Sequence, residues 1–118
     1  MQDALTNAAK IEFSISEIEK LIDEVEDVAQ MKANGIANYD KAVAITILKL
    51  KQGLIKEFEG TKIESIPATV LPTIAKGICY KEAYDKEIGE SIYKGLITKI
   101  EARKAQLNGY QSLNKIMQ

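Results

Sequence analysis

Histidine and tryptophan are both missing from this chain, and cysteine occurs once and proline twice in 118 residues. Without an imidazole there can be no Ser-His-Asp triad, no Cys-His dyad and no histidine metal ligand. A single cysteine cannot close an internal disulfide or hold a zinc cluster. A lone thiol suits a reducing cytoplasm, which is the expected location. No apolar run approaches the roughly 20 residues that span a bilayer, so no membrane association is expected. The N-terminus, MQDALTNAAK, has no basic stretch leading into an apolar core, and no secretory signal is expected. With prolines only at 67 and 72, long stretches are free of the strongest helix breaker.

The composition that remains is that of a folded protein, with 46% apolar and 28% charged residues. The length fits a single helical domain over 1–118. A net charge of −1 argues against a general nucleic-acid coat. That total conceals an asymmetry. Residues 1–40 carry nine acids and three lysines, a net of −6, and the remaining residues carry +5. Opposite signs favour packing of the two parts on each other, within a chain or between chains. The other reading turns the basic part toward an anionic ligand or nucleic acid.

Apolar residues at Ala4, Ala8, Ile11, Ile15, Ile18, Ile22, Val25 and Ala29 step by four and three. That is a heptad seam, and it requires a helix. With Asn34-Gly35 as a left-handed cap, the spacing predicts a first helix over 3–33. A second is expected over 39–59, from the Asn38-Tyr39-Asp40 cap region to Gly60, with Val43, Ile47, Leu50, Leu54 and Phe58 on one face. The short loop between them predicts an antiparallel helical hairpin. Residues 61–68 read as a linker and 69–76 as a short helix stopped by Gly77. Tyr80, Tyr84, Ile88, Ile92, Leu96 and Ile100 recur every four residues, and the stripe runs on through Leu107, Tyr110, Leu113 and Met117. They predict one long C-terminal helix over 78–117. Gly89, Gly95 and Gly109 inside it suggest close helix approach. No segment alternates long enough to predict a strand. The fold class is therefore all-α, and so long a third helix would overhang its partners, so the bundle should be completed by homo-oligomerisation.

Carboxylate pairs at Glu24/Asp27 and Glu87/Glu90 have the spacing of acids on a helix face, but about 60 residues separate them, so no metal site and no cofactor is expected. Cys79 lies in an apolar run and reads as packing. No glycine-rich phosphate loop occurs. An enzyme is not expected. The most specific chemistry available is an anion site. Thr69 and Thr73 in a helix N-terminal turn, with Lys76 nearby, would suit phosphate. Tyr80 and Tyr84 would stack on a base. Arg103, the sole arginine, and Lys104 would supply charge from a second chain. Single-stranded nucleic acid would instead meet Lys49, Lys51 and Lys56 and the C-terminal bases, but no run of aromatics accompanies them.

The segment from Thr69 onward shows a short helix ending Ile74-Ala75-Lys76-Gly77, a long helix with Tyr84 and Tyr93, and a close on Leu107, Gln111, Ser112 and Leu113. This layout resembles small all-helical accessory proteins of bacterial viruses. The resemblance implies a role in a host bacterial cytoplasm, either neutralising a host defence or assisting recombination and replication, and it assigns no functional residue. The expectation is a non-catalytic oligomeric binding protein that sequesters a partner or an anionic nucleotide. The alternatives are a recombination or replication accessory touching single-stranded nucleic acid, and a small structural or assembly protein.

Overall fold

The computed structural model describes residues 4–117, so the expected first helical residue, Asp3, lies outside the described residues. The fold is all-α apart from a two-residue-per-strand ribbon. Helix α1 spans Ala4–Lys51, strands β1 and β2 span Glu57–Phe58 and Thr61–Lys62, helix α2 spans Leu71–Ile78 and helix α3 spans Tyr80–Met117. The chain divides into two compact units, a terminal one of Met1–Gln30 with Ser91–Gln118 and a central one of Met31–Glu90.

The long C-terminal helix stands as its periodicity predicts, starting at Tyr80 where 78 was expected. The hairpin of 3–33 with 39–59 does not form. Residues 4–51 are one helix, continuous through Asn34-Gly35. The reason is packing. A Cβ on Gly35 would lie 3.2 Å from Cα of Lys86, and one on Gly89 would lie 3.3 Å from Cα of Lys32. The two backbones approach so closely that these glycines serve contact, and the contact holds Gly35 in the helix that its sequence context would end. The antiparallel partner of α1 in each unit is thus α3. Gly95 and Gly109 have open space where a side chain would stand.

Helix α1 ends at Lys51, well before Gly60. Gly53 takes φ +74°, and this left-handed residue is the stop. The N–H of Leu54 donates to the Lys49 carbonyl at 3.0 Å and that of Gly53 to Leu50 at 3.3 Å, the paired bonds of a Schellman cap. Residues 57–62, expected as helix end and linker, form an antiparallel ribbon with Phe58 opposite Thr61. Glu59 and Gly60 both have positive φ, as a two-residue hairpin turn requires. The expected linker of 61–68 also contains a 3₁₀ turn at Ile63–Ser65, and a second one spans Ala68–Val70. Helix α2 is shifted from 69–76 to Leu71–Ile78, and Gly77 lies within it, against the ring of Phe58.

The central unit is built on Leu50, Ile63, Leu71 and Ala75, with Val43, Ile47, Phe58, Ile74 and Ile78 packed around them. Each buried leucine or isoleucine contributes about 2 kcal/mol by leaving water. Thr46 and Cys79 are both buried there, and hydroxyl and thiol meet at 3.3 Å. Lys86 Nζ lies 4.8 Å from the ring centre of Tyr39, a cation–π contact beside the glycine approach. The terminal unit is built on Leu21, Leu96 and Ile100, with Val25 and Val28 alongside. Among the described residues, no helix is long and apolar enough to cross a membrane.

Candidate functional site: a basic and aromatic groove in the terminal unit

In the terminal unit, the first turns of α1 and the last turns of α3 leave an open groove of about 330 Å³, lined by Thr6, Ala9, Lys10, Phe13, Ser14, Arg103, Gln106 and Tyr110. Helical spacing produces this lining. Thr6, Lys10 and Phe13 recur at four and three residues on α1, as Arg103, Gln106 and Tyr110 recur at three and four on α3. Antiparallel pairing then sets the two rows side by side. Asn7 anchors the arrangement. Its side-chain Nδ2 donates to the Tyr110 carbonyl at 2.6 Å.

The groove combines charge with ring surface. Lys10 Nζ stands 5.7 Å from the ring centre of Tyr110. Arg103 is half-buried and donates from Nη1 to Gln106 Oε1 at 3.3 Å. That bond occupies one of the five donors of a guanidinium, whose planar fork matches phosphate or carboxylate. Phe13 is 62% exposed, a large apolar ring standing in water. Two cations beside two rings can bind a flat anion by charge pairing and stacking. The lining includes no carboxylate, thiol or imidazole, and its titratable side chains are Lys10, Arg103 and Tyr110.

The anticipated anion-site residues divide between the units. Thr69, Thr73, Lys76, Tyr80 and Tyr84 belong to the central unit, and Arg103 and Lys104 to the terminal one. Thr69 is exposed in the 3₁₀ turn before α2, and Thr73 and Lys76 are exposed on α2. Tyr80 and Tyr84 are 64% and 66% exposed on the first turns of α3. The turn expected to cradle phosphate has already committed donors. The Val70 N–H donates to Pro67 at 2.9 Å, the Leu71 N–H donates to Ala68, and Pro72 has none. Arg103 lines the groove, whereas Lys104 is exposed and outside its lining. Lys10, Phe13 and Tyr110 complete the site and were missed from sequence. Their i, i+3 and i, i+7 spacings are visible, but nothing local joins the two ends of the chain.

A second groove, of about 550 Å³, lies in the central unit. It is lined by Lys51, Lys56 and Lys62, with Leu50, Ile55 and Ile63 among its apolar residues and Glu57 and Glu64 also present. Two of these lysines were anticipated for nucleic acid, and Lys62 joins them through the β-ribbon. Among the described residues, no three acidic, thiol or imidazole groups converge to hold a metal ion. In comparisons with known proteins, no protein-family model, no curated protein and no solved structure matches the chain.

Proposed function

We propose that this chain is a non-catalytic helical binding protein that sequesters an anionic, ring-bearing small molecule, a nucleotide being the natural class, in the groove of its terminal unit. One observation carries the reading: Arg103 and Lys10 share a single groove with Phe13 and Tyr110. A phosphate on the guanidinium and a base against the rings use the two kinds of chemistry that this groove offers. The protein acts as a homo-oligomer in a bacterial cytoplasm, in the accessory or anti-defence role that its resemblance to small phage proteins implies. The test is a thermal-shift series with mono- and dinucleotides. Binding should raise the melting temperature, and Arg103→Ala should abolish the shift while leaving the fold intact. Equal shifts in both proteins would count against the groove.

The lysine groove of the central unit favours a second reading, an accessory protein contacting single-stranded nucleic acid. The two separate by salt. A single-nucleotide site loses affinity modestly as salt rises, whereas a contact to several phosphates falls steeply. Neutralising Lys51, Lys56 and Lys62 should weaken gel-shift binding under the second reading and leave nucleotide shifts untouched under the first.

A further inference from the structure

In the terminal unit, α1 buries the polar Asn7 and Ser14 along with Ile18 and Leu21, and leaves Ile15 and Ile22 largely outside. Numbered as heptads, Ala8, Ile15, Ile22 and Ala29 are a positions, and Ile11, Ile18 and Val25 are d positions. The chain does not pack α3 squarely on that seam. Asn7, Ser14, Leu21 and Val28, one position before each a, turn inward. Asn7 is fully buried and Ser14 is 5% exposed, while Ile15 and Ile22 remain 40% and 50% exposed. The most regular apolar row in the sequence is therefore left partly in water.

We propose that a second copy of this chain covers it, α1 lying on α1 in parallel register about a two-fold axis. The inference rests on the self-association stated above and adds its face, direction and partner residues. Three observations select this occupant. The row repeats at heptad spacing and can meet its own copy knob into hole. Ile18 at d is already buried within its own chain at 8% exposure, so the a residues Ile15 and Ile22 are left to meet the copy, and two copies, each contributing α1 and α3, make a core of four helices. Charge then sets direction. Glu12, Glu19 and Glu26, all exposed, form a seven-residue row along the edge of the seam opposite α3. In an antiparallel pair that row would face itself. In a parallel pair it faces the edge held by the other copy's α3, whose residues 94–104 carry Lys94, Lys99, Arg103 and Lys104 against Glu101. Residues 12–27 carry a net of −6 and residues 94–104 a net of +3, so this arrangement joins the opposite charges.

Light scattering and cysteine cross-linking decide it together. The wild type should have twice the 13.1 kDa chain mass or a higher even multiple, and Ile15→Asp with Ile22→Asp should reduce it to the single chain with the helical circular dichroism retained. Ile15→Cys and Ile22→Cys, prepared separately in the otherwise native chain, should each form a disulfide to itself on mild oxidation, because a parallel two-fold axis sets equal positions side by side. Cys79 is buried, and peptide mapping identifies the bridged residue. A monomeric wild type overturns both the inference and the self-association beneath it. An oligomer that gives no cross-link at either position leaves self-association standing and overturns this face. Cross-links that form only when the two variants are mixed overturn the parallel direction. The cysteine variants decide the matter even where the aspartates prevent folding.

Discussion

The side-chain Nδ2 of Asn7 donates to the Tyr110 carbonyl at 2.6 Å, joining residues 103 positions apart. The same amide has its Oδ1 buried with no partner. A buried acceptor without a donor costs about 1–3 kcal/mol, which offsets much of what the Nδ2 bond contributes. Asn7→Ala, which deletes both, should therefore change stability by less than about 1 kcal/mol. Asn7→Asp keeps the shape but sets a buried carboxylate oxygen against the Tyr110 carbonyl that now accepts from Nδ2. It should cost about 3 kcal/mol or more at neutral pH. Paired urea titrations at pH 7 check the contrast, and equal losses in the two variants would refute it.

The glycine approach in the central unit makes an opposite pair of expectations. Leucine at Gly35 or Gly89 would meet backbone at 3.2–3.3 Å and force α1 and α3 apart. Each variant should lose about 1–3 kcal/mol to overpacking. Gly95→Ala and Gly109→Ala, with open space around them, should each gain about 0.5–1 kcal/mol from helix propensity alone. Denaturation midpoints moving in these two directions would bear out the division of helical glycines into contact and non-contact positions.

The same glycines show where the sequence was legible. α3 was read nearly to the residue because its apolar spacing runs every four residues from Tyr80 to Ile100 and resumes from Leu107 to Met117, and spacing is local information. Asn34-Gly35 carries a strong local signal for a stop, but a contact with Lys86, 51 residues away, overrode it. The true stop at Gly53 was masked by apolar residues continuing in helical rhythm through Leu54 and Phe58. The ribbon escaped because two residues per strand are too few to show alternation. At the groove, Arg103 was legible as the sole arginine. Lys10, Phe13 and Tyr110 were not, since only antiparallel pairing of the two chain ends brings them to it.

Cys79 and Thr46 satisfy each other in the central core at 3.3 Å, and the thiol is buried. The native protein should accordingly resist a colorimetric disulfide reagent and react fully only in denaturant. Thr46→Val preserves the volume and removes the hydroxyl, so it should cost no more than about 1 kcal/mol. Its thiol should remain as slow to react as in the wild type. Rapid native labelling of either protein would show that this core opens far more readily than its packing indicates.

Gly53 offers the most direct test of how α1 ends. Its φ of +74° is in the left-handed region, where a Cβ costs about 1–2 kcal/mol. No atom crowds the position, so backbone conformation alone sets that cost. Gly53→Ala should therefore lose about 1 kcal/mol, and Gly53→Asn less, because asparagine tolerates this region best among the side-chain-bearing residues. Gly53 also lines the lysine groove. Loosening the cap should disturb the relative placing of Lys51 and Lys56 on either side of it. If that groove holds single-stranded nucleic acid, Gly53→Ala should weaken gel-shift binding at temperatures where the fold is intact. Nucleotide-induced thermal shifts at the Arg103 groove should be unchanged in the same variant, and a parallel loss of both would show that the variant acts through global stability.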